Sequence, residues 1–226
     1  MNKKNLTFKV ASSLDSTLLR ATATNQELTQ LCSDAQKYGF ASVCVNPCNV
    51  LFCKKLLSTV KVCTVIGFPL GANTTKVKVA EVKDALKNGA CEFDVVINIG
   101  AAIDGDFDFV REELNRIASV LDAATLKVIL ETCYFNKEQL IILGKIALEC
   151  GANFLKTSTG FGPCGATVEV VKLLNQICNG KAGVKASGGI KTLKDILTFL
   201  DAGATRIGTS NAVKIINEIE DSNGVK

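Results

Sequence analysis

The chain has 226 residues, of which 47% are hydrophobic and 21% charged, a balance typical of a folded globular protein and far from the disordered range. Its net charge of +4, from 26 Lys and Arg against 22 Asp and Glu spread along the chain, is too mild and scattered to predict nucleic-acid binding. His is absent, which excludes His-based catalytic triads, Cys-His dyads and His-ligated zinc, so proton transfer must use Lys, Asp, Glu, Tyr, Cys or water.

The N-terminal segment, residues 1–4, is basic but is not followed by the long apolar stretch of a signal peptide or membrane span. We therefore expect a cytoplasmic protein that does not bind a membrane. The ten cysteines lie mostly inside apolar runs, and no pair has the C-x-x-C spacing. In a chain without an export signal, this favours reduced thiols in the core over a disulfide framework.

Short apolar, β-branched runs recur along the chain and predict seven strands, at residues 41–46, 60–68, 92–98, 126–132, 154–157, 183–186 and 205–208. A less regular candidate at residues 14–18 would come first and make eight. Amphipathic patterns between them predict helices, for example at residues 75–88, 108–122, 136–150, 167–179 and 193–201. Four helix ends carry a glycine that leads into the next strand, where a left-handed backbone is expected: Gly39, Gly89, Gly151 and Gly203.

This alternation predicts a parallel sheet, and strands that are apolar throughout indicate that both faces of the sheet are covered. Eight units in a chain of this length favour an α/β fold of the TIM (β/α)8-barrel type. The alternative is an open doubly wound sheet, but its G-x-G-x-x-G fingerprint is missing. No linker or low-complexity tract interrupts the chain, so we expect a single domain over residues 1–226.

Active sites of such barrels lie at the C-terminal ends of the strands, so polar residues at strand exits are the candidates. Lys156 ends the sixth predicted strand, and Lys185 holds the equivalent place in the seventh. Two neighbouring ammonium groups disfavour each other's charge, so we expect the pKa of one lysine to fall and to supply an amine for Schiff-base chemistry. Asp94, within an apolar strand, is the candidate for proton transfer. The alternatives are an ion-paired lysine and an aspartate that anchors a loop.

Two glycine-bearing turns, residues 187–189 and 208–210, follow the last two predicted strands. Many barrels bind phosphate in this region through backbone N–H groups, because glycine lets an anion approach closely. Gly160, which follows the Lys156 strand, would close a third side of such a site. The alternative for either turn alone is an ordinary tight turn.

Seven segments, in this order along the chain, resemble the deoxyribose-phosphate aldolase family. They are residues 43–47 (VCVNP), 62–75 (VCTVIGFPLGANTT), 92–100 (EFDVVINIG), 127–133 (KVILETC), 154–161 (FLKTSTGF), 184–190 (VKASGGI) and 206–210 (RIGTS). They span roughly the whole chain, and the lysine motif is the most specific of them. The resemblance implies a class I aldolase without cofactor or metal. Such an enzyme cleaves 2-deoxy-D-ribose 5-phosphate reversibly to D-glyceraldehyde 3-phosphate and acetaldehyde, in deoxyribose phosphate catabolism.

The resemblance also implies roles for individual residues. Lys156 matches the Schiff-base lysine, Lys185 the second lysine that tunes it, and Asp94 the aspartate of the proton relay. The residues that match the substrate-binding set are Asp15, Thr17, Cys44, Thr159, Gly160, Gly188, Gly189, Gly208 and Ser210. The expected partner is a phosphorylated small sugar, with no nucleic acid and no membrane. The sequence leaves the oligomeric state open, with a homodimer as one candidate.

Two departures from the family pattern bear on activity. Many relatives read Asp-His-Thr at the first strand, where this chain has Ser16, and we expect activity to survive this change. Residues 219–226 contain no tyrosine, so a terminal tyrosine that assists proton transfer in some relatives has no counterpart here. The rival interpretations are another Schiff-base barrel aldolase, which would share Lys156, and a non-catalytic barrel that binds phosphorylated metabolites, which would not need paired lysines.

Overall fold

Eight parallel strands close into a barrel, in chain order, in a computed structural model that describes residues 3–221. The strands are β1 (Leu14–Leu18), β2 (Ser42–Val45), β3 (Lys61–Ile66), β4 (Glu92–Val96), β5 (Thr125–Ile129), β6 (Phe154–Lys156), β7 (Gly183–Ser187) and β8 (Arg206–Thr209). Each strand pairs with the next, and β8 closes the barrel against β1, where Asp15 lies opposite Gly208. The predicted TIM barrel is confirmed.

Helices alternate with the strands along the chain. They are α1 (Lys3–Ala11), α2 (Asn25–Tyr38), α3 (Val50–Leu56), α4 (Thr75–Lys87), α5 (Ile99–Ile103), α6 (Phe107–Ala118), α7 (Lys137–Glu149), α8 (Val168–Cys178), α9 (Leu193–Asp201) and α10 (Ala212–Asp221), with short 3-10 turns at Pro47–Asn49 and Thr132–Tyr134. The five helices that the amphipathic patterns predict are all present. Neighbouring helices such as α7 and α8 pack together around the barrel, and α1 packs against α10.

Local sequence sets the ends of these elements. Thr24, Asn136 and Thr192 form capping boxes at the starts of α2, α7 and α9, which satisfy backbone N–H groups that the first helical turn leaves free. The four junction glycines have the predicted left-handed backbone, with φ of 70° at Gly39, 100° at Gly89, 89° at Gly151 and 106° at Gly203.

Three predicted strands, at residues 60–68, 92–98 and 126–132, run two or three residues past the observed ends of β3, β4 and β5. β4 stops at Val96 because Asn98 caps α5, where its side chain accepts a hydrogen bond of 3.0 Å from the Ala101 N–H. β5 stops at Ile129 because Glu131 takes a left-handed backbone with φ of 51°. Both differences place polar side chains just beyond the strands, on the face of the barrel where active sites form.

The two faces of each strand meet different surroundings. Neighbouring residues face opposite sides of a strand, so Phe93 and Val184 pack outward in the apolar core beneath the helices. The opposite face of the strands carries charged residues that are at most 1% exposed: Asp15, Glu92, Asp94, Lys127 and Lys185. A small separate cluster of Cys44, Cys63 and Val65 lies beside them. Buried charges at this density require partners, and they define the candidate site.

None of the helices within residues 3–221 has the length and apolar composition that a membrane span requires. All ten cysteines are free, and six of them are buried. Cys32, Cys53 and Cys178 belong to the apolar core, as the sequence predicts for most of the thiols. Of the C-terminal segment without tyrosine, residues 222–226 lie outside the described part of the chain.

Candidate active site

Lys156 is the last residue of β6 and lines a cavity of about 370 Å³. Its side chain is 3% exposed, and its Nζ donates a hydrogen bond of 2.7 Å to Asp94 Oδ2. The amine therefore lies at the floor of the cavity, nearly free of bulk water, with a carboxylate as its partner. This is the position in which a small carbonyl compound that enters the cavity would meet a nucleophile.

Lys185 lies beside Lys156, because the two residues are register partners on β7 and β6. Its Nζ is 2.6 Å from the same Asp94 oxygen and 2.5 Å from Asp15 Oδ2. The two lysines thus share Asp94 Oδ2, so the structure brings together the three residues that the sequence predicts to be catalytic.

The charges of this group follow from their contacts. Burial alone would raise the pKa of Asp94, but the ammonium groups of Lys127, Lys156 and Lys185 outweigh burial and hold that pKa well below its usual value. Burial alone would lower the pKa of Lys185, but Asp15 and Asp94 together raise it above its usual value. The expected fall in pKa therefore does not occur at Lys185, which keeps its charge because of these two carboxylates.

A second layer of charges lies below this group. Lys127 of β5 is fully buried, and its Nζ lies 2.9 Å from Asp94 Oδ1 and 2.7 Å from Glu92 Oε2. Arg206 of β8 lies 2.6 Å from Asp15 Oδ1 and 3.0 Å from Glu92 Oε2. The contact with Lys127 holds Asp94 Oδ1 from beneath, so the other carboxylate oxygen, Oδ2, faces Lys156 and Lys185.

The donor atoms in the barrel do not suit a metal ion. Cys44, Cys63 and Asp94 offer ligand atoms within 4.8 Å of one another. However, the Lys127 ammonium lies 3.1 Å from Cys63 Sγ and 2.9 Å from Asp94 Oδ1, so a cation already occupies this space. A metal ion would be repelled there.

Eight of the predicted site residues line the cavity: Thr17, Lys156, Thr159, Gly160, Gly188, Gly189, Gly208 and Ser210. The remaining four, Asp15, Cys44, Asp94 and Lys185, are buried outside its lining. Asp15 accepts a hydrogen bond of 2.7 Å from Ser42 Oγ and pairs with Lys185 and Arg206, so its place in the structure is that of an ion-pair partner. Cys44 packs with Cys63 and Val65 in the small interior cluster.

The glycine turns meet at one end of the cavity. Gly160, Gly188 and Gly189 have left-handed backbones with φ of 86°, 87° and 79°. Gly165 packs directly on Gly188, since a Cβ atom at residue 165 would lie 2.2 Å from the Gly188 carbonyl oxygen. Lys191 and Arg20 line the same cavity, and Arg20 is ion-paired with Glu27. Exposed backbone and positive charge in one cavity are what an anionic group requires.

A family model described as DeoC/LacD family aldolase matches residues 9–219. The chain belongs to this aldolase family. It is 47% identical over 223 residues to the deoxyribose-phosphate aldolase of Caldanaerobacter subterraneus subsp. tengcongensis, with 96% of each chain covered. It is 49% identical over 216 residues to that of Thermoanaerobacter sp. (strain X514), covering 93% of this chain and 97% of the relative. The family that the sequence motifs resemble is confirmed.

Solved structures of aldolases have the same fold as this member of the DeoC/LacD family. A protein described as QR15, an aldolase, superposes with a TM-score of 0.92 at 40% identity, covering 96% of this chain and 99% of its own. The tetrameric deoxyribose phosphate aldolase of Aeropyrum pernix superposes with a TM-score of 0.88 at 35% identity, covering 95% and 92%.

Sequence reasoning missed several residues that shape the site of this DeoC/LacD aldolase. Lys127, Glu92 and Arg206 appeared in the quoted motifs but received no role. The available signal was strand alternation: Lys127 is a charged residue in an apolar strand and the register partner of Asp94. Gly165 is set by loop packing, which no local pattern in the sequence reveals.

Proposed function

We propose that this chain is a 2-deoxy-D-ribose 5-phosphate aldolase that cleaves its substrate reversibly to D-glyceraldehyde 3-phosphate and acetaldehyde. The observation that carries the proposal is the Lys156 amine at the floor of the cavity, 2.7 Å from Asp94 and next to Lys185. Membership of the aldolase family and the names of the curated relatives support the choice of reaction and substrate.

In the proposed mechanism, neutral Lys156 attacks the C1 aldehyde of the open-chain sugar and loses water to form a protonated imine. The C3 hydroxyl then gives up its proton, the C2–C3 bond breaks, and its electron pair moves into the iminium to give an enamine. Glyceraldehyde 3-phosphate leaves at this step. Protonation of the enamine carbon and hydrolysis of the imine release acetaldehyde and restore the lysine.

Asp94 and Lys185 are the groups that we assign to proton transfer. Asp94 Oδ2 is the acceptor within reach of the Lys156 ammonium, and Lys185 contacts the same oxygen at 2.6 Å as a donor. Because ammonium groups hold the pKa of Asp94 low, this carboxylate is ionised at rest and is available as an acceptor.

We assign the phosphate of the substrate to the end of the cavity formed by the glycine turns. Gly160, Gly188 and Gly189 allow a close approach to the backbone, and Lys191 adds positive charge. We therefore orient the sugar with its aldehyde end toward Lys156 and its phosphate end toward the turns.

A direct test is the release of acetaldehyde from deoxyribose 5-phosphate, assayed with EDTA present throughout. We expect turnover with the chelator and a much lower kcat/KM for deoxyribose without phosphate. Absence of acetaldehyde release by the folded chain would refute the assignment. Loss of activity in EDTA that added metal restores would refute the metal-free mechanism.

The proposal extends to location and assembly. A cytoplasmic location is part of the proposal. Oligomers occur among structural neighbours, as the tetrameric structure of the Aeropyrum pernix enzyme illustrates. We propose a homodimer as the smallest assembly, which light scattering coupled to size-exclusion chromatography would test. A monomer at working concentrations would contradict it.

A further inference from the structure

Glu131 has an unusual backbone at the exit of β5. Its φ and ψ are 51° and 62°, in the left-handed region that side chains other than those of Gly, Asn and Asp rarely adopt. Hydrogen bonds of 3.0 Å from Leu130 N to Lys156 O and of 2.9 Å from Thr132 N to Thr157 O hold the chain on either side of it. Strain of this kind persists only where the surroundings fix it, and it clusters at functional sites.

The Glu131 side chain reaches the loop that follows Lys156. It is 2% exposed, and its two oxygens accept hydrogen bonds from the Thr159 N–H at 3.2 and 3.3 Å. The Thr159 hydroxyl donates a further short hydrogen bond to Glu131 and accepts one of 3.0 Å from the Phe161 N–H. A Cβ atom at Gly162 would lie 3.1 Å from the Glu131 carboxyl carbon, so the loop folds closely over this carboxylate.

These bonds use both donors of Thr159. Its N–H and its hydroxyl proton point to Glu131, so neither is free to bind a substrate phosphate. Thr159 lines the cavity, but its N–H and hydroxyl form hydrogen bonds with Glu131 and with the Phe161 N–H of its own loop. The neighbouring Gly160 packs near Gly188, with a Cβ atom at Gly160 placed 3.8 Å from the Gly188 Cα. Glu131 therefore sets the position of one wall of the glycine end of the cavity.

We propose that Glu131 is a positioning residue that holds residues 159–161 in the shape that recognises the phosphorylated end of the substrate. The inference rests on the proposed function and adds to it a residue that does not itself touch the sugar. Removal of the carboxylate should loosen the phosphate end of the cavity and leave the Lys156 amine in place, because Glu131 has no contact with Asp94 or Lys185 among the hydrogen bonds of the described residues.

The experiment compares Glu131→Gly with a matched control, Asp122→Gly. Glycine accepts a left-handed backbone without strain, so Glu131→Gly removes the carboxylate and leaves the chain path intact. Asp122 also has a φ of 51°, but it is exposed and precedes β5 at the opposite end of the barrel. The kcat and KM are measured for deoxyribose 5-phosphate and for deoxyribose, together with borohydride trapping of acetaldehyde on Lys156.

For Glu131→Gly we expect kcat/KM for the phosphorylated sugar to fall about tenfold or more, mainly through KM, since several hydrogen bonds to a charged acceptor are lost. The preference for the phosphorylated over the unphosphorylated sugar should shrink, and trapping of acetaldehyde should match the wild type. Glu131→Gln, which keeps an acceptor oxygen, should recover part of the loss. Asp122→Gly should behave as the wild type.

An equal fall for both sugars, or lost trapping of acetaldehyde, would show a general structural role and overturn the inference. So would an unchanged preference for phosphate in Glu131→Gly. A wild-type chain that releases no acetaldehyde would overturn the proposed function itself, whereas wild-type activity with an unchanged preference in Glu131→Gly would overturn only the role of Glu131.

Discussion

Replacement of Asp94 by Asn tests the charge balance inside the barrel. Asp94 is fully buried and lies within 2.6 to 2.9 Å of three ammonium groups. Inside the barrel the network has four cations, on Lys127, Lys156, Lys185 and Arg206, and three carboxylates, on Asp15, Glu92 and Asp94. The exposed Lys61 adds one contact of 3.2 Å to Glu92 Oε1. Asp94→Asn changes this balance from four against three to four against two, with no loss of side-chain volume.

Removal of one partner of a buried ion pair costs about 3–5 kcal/mol, because the remaining charge has no counterion. For a chain of this length each kcal/mol corresponds to roughly 2–4 °C in Tm, so we expect Tm to fall by roughly 6–20 °C. Loss of a proton-transfer group should also lower kcat by about a hundredfold or more. Urea unfolding at pH 7 measures the loss of stability, and acetaldehyde release measures the loss of kcat.

The matched control is Asp201→Asn, which removes an exposed carboxylate at the end of α9 and should change stability by less than about 0.5 kcal/mol. If Asp94→Asn lowers the free energy of unfolding by less than about 1 kcal/mol relative to this control, the four cations do not need the Asp94 carboxylate as a counterion. The reasoning about the buried network would then be refuted.

Two further predictions concern the glycine turns and pH. Gly165→Ala should disturb the Gly188 turn, on which residue 165 packs, and raise KM for the phosphorylated sugar several-fold. In the control Gly100→Ala the added Cβ atom would have its nearest neighbour atom at 3.5 Å, so KM should stay unchanged. Equal KM values for both variants would argue against a phosphate site at this turn. The pKa of Asp94 is lowered in the folded chain, so its contribution to stability is present above the unfolded value of about 3.9 and is lost as pH falls below it. Urea unfolding between pH 6 and roughly pH 3 should show this loss, and a weaker pH dependence in Asp94→Asn; parallel curves for the two chains would contradict it.

The fold could be predicted from the sequence because its signals are local and repeated. Most strands carry an apolar run, and each of the four junction glycines takes the left-handed backbone that its position predicts. Strand ends were harder, since they depend on a cap such as Asn98 or on a tertiary contact such as that of Glu131 with Thr159.

Of the candidate site, the positions of Lys156, Lys185 and Asp94 could be predicted, because equivalent strand ends meet on one face of a barrel. The charges of these residues could not be predicted from the sequence. They depend on Lys127 and on carboxylates such as Asp15, whose side chains meet only when strands distant in sequence close the barrel. The placement of Asp15 outside the cavity lining has the same origin.

The most direct test of the account is borohydride reduction of the chain with deoxyribose 5-phosphate, followed by mass mapping of the modified peptide. We predict one reduced two-carbon or sugar adduct on Lys156, a loss of activity in proportion to labelling, and no adduct in Lys156→Met. Labelling of Lys127 or Lys185 instead, or full activity with unmodified Lys156, would contradict the central claim that the amine at the cavity floor is the nucleophile.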